Sequence, residues 1–315
     1  MRTLSSLFAA NLLFVVAFDQ NPQEGFAFVK SALRYYSSPE KIALENSSSG
    51  EPFPFAKRFT SSRSGQQRPH VFVAAQSSLA YDNTGNFMRK IGFQRTASME
   101  DGLLTAEEKK HVWGWGLQDD VFFRKVFASL DPELREGRPL FVALATISNH
   151  QPFTEMPPDQ ERLYSAPVTF NENFQNSIHL ADGYLRAFFG ELETRGLLEK
   201  SLVILLGDHG MVTGLDGNVS NEKSASASLF RIPLFVFWQG RSWRNGAIAY
   251  SQLDLAPSIL EWLGISADAH FAGEVIPAEA GNLPREQHLI PLVQPYDGIF
   301  LMSLLYPYKY GYNTA

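Results

Sequence analysis

The apolar run Leu202 to Gly207 ends abruptly in Asp208, His209 and Gly210. A carboxylate oxygen beside a neutral imidazole is a usual half-set of ligands for Mn²⁺, Zn²⁺ or Mg²⁺, and neighbouring residues reach one ion when the backbone turns between them. A run this free of polarity suits a strand covered on both faces in a parallel sheet, and Gly207 and Gly210 bracket the polar pair where the chain must turn. In open α/β sheets, ligands bind at that end of the strand. The same residues also fit a plain strand-end turn in which Asp208 caps a helix and His209 is merely exposed.

A second segment repeats the design. Leu140 to Ile147 is apolar and runs into Ser148-Asn149-His150-Gln151-Pro152-Phe153, a polar turn with a histidine and a proline stop. Between the two segments, Asn176 to Lys200 carries apolar residues at helical spacing (Ile178, Leu180 or Ala181, Tyr184 or Leu185, Phe188 or Phe189, Leu192) and closes at Gly196. Strand, helix and strand form a crossover unit, which brings both histidine-ended strands to the same edge of the sheet.

These segments, with Trp113-Gly-Trp-Gly-Leu-Gln-Asp119-Asp120, Tyr81-Asp82-Asn83-Thr84-Gly85, Ile91-Gly92-Phe93, Arg231-Ile-Pro-Leu-Phe-Val236 and Gln252-Leu-Asp254-Leu-Ala-Pro257 through Gly264, occur in an order that resembles the lipoteichoic-acid-synthase type of sulfatase-like proteins. These are phosphoglycerol transferases of the alkaline phosphatase superfamily, and the likeness covers roughly residues 68 to 312. The resemblance implies an alkaline-phosphatase-like three-layer α/β/α domain with a mostly parallel sheet and a small C-terminal subregion. It places Asp208 and His209 on the paired metal ligands and His150 on the substrate-phosphate histidine. It also implies a divalent metal, Mn²⁺ foremost with Mg²⁺ or Zn²⁺ as alternatives, and a phospholipid or glycan headgroup as substrate. A divalent ion polarises the phosphoryl oxygen and lowers the pKa of a hydroxyl nucleophile, while an imidazole steadies charge or protonates the leaving oxygen.

The family pattern also calls for an acidic ligand at the end of the first strand and a Thr or Ser nucleophile soon after. Arg68 to Ala75 resembles that first strand, yet it runs into Gln76-Ser77-Ser78, and the Tyr81 segment follows at once. On this reading the nucleophile segment is missing. Ser77, Ser78, Thr84 and the Thr60-Ser61-Ser62 cluster read as turn or linker residues rather than nucleophiles. Gln76 is a poor substitute for a carboxylate ligand, and Asp82 and Glu222 are the next residues to consider as ligands.

At 315 residues and 44% hydrophobic, the chain is long enough for one large α/β domain. A net charge of -6 offers no basic surface for nucleic acid. With no cysteine, disulfides, thiolate sites and the usual formylglycine precursor of true sulfatases are all excluded, so phosphate chemistry is favoured over sulfate ester hydrolysis. Leu4 to Phe18 is a weak membrane signal, short and broken by Ser5, Ser6 and Asn11; it reads as the stump of a membrane helix or as a buried amphipathic one. Linker composition at Asn46 to Pro54 and Ser61 to Gln67 divides residues 1–67, an apolar and helical segment with its linker, from a sulfatase-like domain at 68–315.

The remaining conspicuous residues read as scaffold. Asp182 reads as a cap partner or salt-bridge member on its helix rather than a ligand, and Asp119 with Asp120 as a helix start. Trp113 and Trp115 fit either a loop over a sugar or glycerol group or packing under the sheet. His70, His111, His179, His270 and His288 have no partner spacing, and Asp254 begins a helix with Pro257 in its first turn. The function implied is metal-dependent transfer or hydrolysis of a phosphoglycerol or related group at the outer face of the cytoplasmic membrane. A truncated non-catalytic remnant acting as a binding protein, and a soluble phosphodiesterase, are the alternatives; the missing nucleophile favours the remnant, with little or no turnover.

Overall fold

A computed structural model describes residues 12–18, 70–75, 79, 83–90, 93–99, 104–113, 116–136, 140–154, 156–157, 160–211, 213, 230, 232–238, 241–243, 250–262, 271–276, 289–294, 298–303 and 309–312. In chain order its strands and α-helices are β1 (Leu12–Phe18), β2 (His70–Ala75), α1 (Thr84–Lys90), β3 (Arg95–Ala97), β4 (Val112–Trp113), β5 (Gly116–Leu117), α2 (Asp119–Arg135), β6 (Leu140–Ala145), α3 (Phe170–Thr194), β7 (Ser201–Gly207), β8 (Leu234–Trp238), β9 (Arg241–Trp243), α4 (Leu255–Trp262), β10 (Leu289–Gln294), β11 (Gly298–Ser303) and β12 (Lys309–Tyr312).

Seven strands form one sheet in the order β3-β2-β6-β1-β7-β8-β9. β2 pairs in parallel with β3 and β6. β1 lies antiparallel to both β6 and β7, and β8 is antiparallel to β7. So β2, β3, β6 and β7 point one way while β1 and β8 oppose them, and the sheet is mixed where the crossover pattern suggests a mostly parallel one. Two strands make it so: the amino-terminal run, which enters between the two histidine-ended strands, and β8 on the far side of β7. Leu12–Phe18 is a strand and not the stump of a helix, and His70–Ala75 is therefore not the first strand of the sheet. No helix among the described residues is long and apolar enough to cross a membrane.

All seven residues of β7 are buried, from Ser201 to Gly207, as expected for a strand covered on both faces. One face is covered by α2 and α3. Both helices form because apolar residues recur every three or four positions: Val121, Phe122, Val126 and Leu130 in α2, and Phe174, Ala181, Tyr184, Phe188 and Leu192 in α3. They meet Leu140, Val142, Leu144, Val203 and Leu205 in one apolar cluster. Each such side chain contributes about 1.5–3 kcal/mol on burial, so this contact dominates the stability of the helix pair. Phe188 centres it, with ring centroids 4.8 Å from Phe123 and 5.4 Å from Phe127. Arg195 then clasps the two helix ends, lying over the Phe127 ring at 5.0 Å and pairing with Asp131 and Glu191.

Helix α3 starts and stops where its sequence dictates. Thr169 accepts from the Glu172 N–H while the Glu172 carboxylate accepts from the Thr169 N–H at 2.9 Å, a reciprocal capping box. At the far end Gly196 takes φ +62°, and the Leu197 N–H donates to the Leu192 carbonyl at 2.8 Å. That left-handed cap is why a glycine sits there.

The chain divides into two compact units: residues 1–20, 65–221 and 226–242 make one, and residues 21–64, 222–225 and 243–315 the other. In the second unit β10, β11 and β12 form an antiparallel sheet, the strand part of the small C-terminal subregion. There Asp254 is buried and accepts from the Ser251 and Glu274 N–H groups, completing the Ser251 capping box that opens the 3₁₀ turn before α4.

Candidate active site at the carboxyl edge of the sheet

Register brings the two histidine loops to one edge. Leu13 of β1 faces Ala145 at the end of β6 on one side and Leu206 near the end of β7 on the other. The two strand ends are thus level, with a single strand between them, a separation of about 10 Å at two strand spacings. A direct bond closes that gap: the Gln151 side-chain amide donates to the Met211 sulfur at 3.2 Å. The two residues lie one position after His150 and two after His209.

At the end of β7, Asp208 and His209 stand side by side, with Asp208 Oδ2 3.9 Å from His209 Nε2 and side chains 39% and 55% exposed. The His209 backbone N–H donates to Asp208 Oδ1 at 2.8 Å, and Nδ1 lies 2.9 Å from the Gly210 carbonyl oxygen. A carbonyl can only accept, so Nδ1 carries the proton and Nε2 keeps its lone pair for a ligand. His150 repeats the arrangement: it is half-buried, and its Nδ1 lies 2.8 Å from the Gln151 carbonyl oxygen. In both histidines Nδ1 is the nitrogen held at a backbone carbonyl.

The β6 loop is deeply anchored. Ser148, Asn149 and Phe153 are buried, with Phe153 wedged edge-on between Phe170 at 5.4 Å and Phe174 at 5.2 Å. Asn149 Oδ1 accepts from the Ser177 hydroxyl at 2.6 Å. The Asp119 carboxylate, also buried, accepts from the Ile147 N–H at 3.0 Å and the Ser148 N–H at 3.3 Å. Asn171, in the first turn of α3, donates to the Thr213 carbonyl at 2.9 Å and so tethers the β7 loop as well.

A divalent ion fits the chemistry of Asp208 and His209, a hard oxygen and an imidazole nitrogen with its lone pair free. Among the described residues no group of three or more His, Asp, Glu or Cys side chains gathers for a metal. Gln76, Ser77, Ser78, Asp82, Thr60, Ser61, Ser62, Glu222, Trp115, His270 and His288 lie outside the described residues, as does the Trp113 side chain. Thr84 is the first residue of α1. Asp182 pairs with Arg186, and His179 with Glu161 at 3.9 Å. His111 pairs with Asp120 at 3.2 Å, a partner that their nine-residue separation did not suggest.

The sheet order, with Asp208, His209 and His150 at its carboxyl edge, is that of an α/β protein. The chain belongs to the sulfatase family, whose model matches residues 66–265. Its relatives include lipoteichoic acid synthase 2 of Bacillus subtilis (strain 168), 24% identical over 60% of this chain and 30% of that protein. Lipoteichoic acid synthase of Staphylococcus saprophyticus is 25% identical over 73% of this chain and 37% of its own length. The chain therefore spans about a third of the length of these curated relatives. Among solved structures, the lipoteichoic acid synthase LtaP from Listeria monocytogenes superposes with a TM-score of 0.60 at 17% identity, over 95% of this chain and 76% of that one. A protein of the alkaline phosphatase superfamily from Vibrio parahaemolyticus gives 0.57 at 19% identity, over 75% and 55%. The fold is that of the alkaline phosphatase superfamily.

Proposed function

We propose that this chain transfers or hydrolyses a phosphoglycerol or related phospho-headgroup, with a divalent ion held by Asp208 and His209 and the phosphate facing His150. The observation that carries the reading is the level pair of strand ends tied by Gln151 and Met211, which brings His150 and His209, each with Nδ1 at a backbone carbonyl, to one sheet edge. The names of the relatives, lipoteichoic acid synthases, support this reading, and the substrate it implies is a lipid or glycan headgroup at the outer face of the cytoplasmic membrane. An ion bound there polarises a phosphoryl oxygen and acidifies a hydroxyl; Mn²⁺ is the first candidate, ahead of Mg²⁺ and Zn²⁺.

The chain's own groups supply the rest. Asp208 and His209 orient the ion, and His209 keeps its ligand nitrogen through the proton held on Nδ1. His150, when protonated at Nε2, donates to a phosphoryl or leaving oxygen. The inference of a missing nucleophile takes Arg68–Ala75 as the family's first strand. β1 precedes it in the chain but runs antiparallel to β6 and β7, whereas β2 is parallel to β6 and ends level with it, Ala75 opposite Ala145, so a non-catalytic remnant stays the alternative reading. The nucleophile is a hydroxyl still to be assigned.

Turnover of a phosphodiester and of a glycerophospholipid, measured with Mn²⁺, Mg²⁺ or Zn²⁺, tests the reading in the wild type, Asp208→Ala, His209→Ala and His150→Gln. Activity in the wild type that each substitution removes is expected. An inactive wild type, or activity that survives Asp208→Ala, contradicts it.

A further inference from the structure

We propose that Asp119 is a positioning residue for His150. The inference rests on reading His150 as the phosphate-facing group, and its evidence lies in a set of bonds that local helix-starting chemistry does not require. An aspartate in the first turn of a helix is stabilised by the helix dipole wherever it stands, and it does this well in water. Asp119 is instead 2% exposed and turned toward the end of a strand 28 residues away.

Burying a carboxylate is costly unless its oxygens are met by donors. Here the donors are the Ile147 and Ser148 N–H groups, both on Oδ1, at 3.0 and 3.3 Å. The contact is two-way, because the Asp119 N–H donates to the Ser148 hydroxyl oxygen at 2.9 Å. The peptide unit joining Ile147 to Ser148 is then gripped on both sides: its N–H, that of Ser148, by Asp119, and its carbonyl, that of Ile147, by the His150 N–H at 2.9 Å. Asp119 stands two hydrogen bonds from the His150 backbone and fixes the turn that aims the ring.

Its own place is fixed in turn. The preceding residue, Gln118, is buried, donates its N–H to the His111 carbonyl at 2.8 Å and accepts from the Tyr184 hydroxyl at 3.0 Å. Tyr184 belongs to α3, so the start of α2, the middle of α3 and the β6 loop are locked together around this carboxylate. What Asp119 controls is whether the turn holds the His150 Nδ1–H against the Gln151 carbonyl, and hence which ring nitrogen carries the proton.

The experiment reads the ring and needs no turnover. Histidine-ring ¹⁵N spectra of the full chain are recorded at about pH 8, above the ordinary histidine pKa, with His150 assigned through His150→Gln. In the wild type the two ring nitrogens give well-separated resonances of a single tautomer. Asp119→Ala should draw them together as the tautomers mix, while Asp119→Asn, which keeps an Oδ1 acceptor, should hold them apart. Leu192→Ala is the control for general loosening, since Leu192 is a buried core residue on α3.

Separated resonances in folded Asp119→Ala overturn the proposal, and so does an equal collapse in Leu192→Ala or in Asp119→Asn. If Asp119→Ala does not fold, Ser148→Ala decides: a partial convergence supports the proposal and an unmoved ring overturns it. Turnover measured alongside separates the two readings. A His150→Gln variant that keeps full activity sinks the functional reading of His150 while leaving the ring result standing.

Discussion

The two histidine loops stand at the same sheet edge and are built in opposite ways. After β6 the chain is tied into the core through Ser148, Asn149 and Phe153, with bonds reaching both α2 and α3. After β7, Asp208 and His209 are exposed, and the bonds described for His209 stay within Asp208 to Gly210. On the proposed reading the first loop is preorganised, as suits a group that meets a transition state at a set angle. The second holds the His209 Nδ1–H at the Gly210 carbonyl and leaves its side chains exposed, as suits ligands that a bound ion would complete.

The largest expected effect falls on the exposed loop and on chemistry alone. Asp208→Ala should lower turnover by on the order of 10³-fold or more while leaving the melting temperature near that of the wild type, because the side chain supports no core. A large drop in melting temperature would show the β7 loop to be structural and erase the contrast. Phe153→Ala should do the reverse, costing about 3–5 kcal/mol by denaturant unfolding as the ring leaves its place between Phe170 and Phe174. A loss under about 1 kcal/mol would mean the β6 loop is not anchored through that ring.

A smaller effect belongs to the cap of α3, whose first turn reaches both loops. Thr169→Ala should cost about 1 kcal/mol in the same unfolding measurement. The Glu172 carboxyl is held below its ordinary value by the Val168 N–H first and the Thr169 N–H second. A depressed folded pKa gives stability that is present above the unfolded value and lost as pH falls through the folded one. Glu172→Gln should therefore be less stable than the wild type at neutral pH, with the gap closing as acid carries the wild-type carboxyl through its lowered value. A gap that widens in acid would contradict the cap. Smallest of all, Mn²⁺ added to the free chain should raise the melting temperature only slightly, since exposed ligands bind weakly and stabilisation grows as the logarithm of ion concentration over the dissociation constant.

Much of this site was legible in the sequence, for identifiable reasons. The run from Leu202 to Gly207 had to be a strand buried on both faces, and the helix between it and His150 had to return the chain to the same edge. Leu12–Phe18 was harder to read. Seven apolar residues serve equally as a buried strand or as part of a membrane segment, and periodicity does not separate the two. Its place between β6 and β7 depends on pairing with residues more than 120 positions away. Asp119 was read as the helix start it is, but its bonds to Ile147 and Ser148 are made across 28 and 29 residues and left no trace in local spacing. Local chemistry was readable from spacing, and what one element does for another was not.

The central claim is that an ion at Asp208 and His209 and the ring of His150 share one site. Mn²⁺ is paramagnetic, so the most direct measurement is the broadening of histidine-ring signals as it is titrated into the full chain, with His209→Ala and His150→Gln supplying the assignments. The account predicts that His209 and His150 broaden first and together, ahead of His111 and His179, and that Asp208→Ala abolishes both effects. Broadening of His209 that leaves His150 sharp, or broadening of His150 that survives Asp208→Ala, would contradict it.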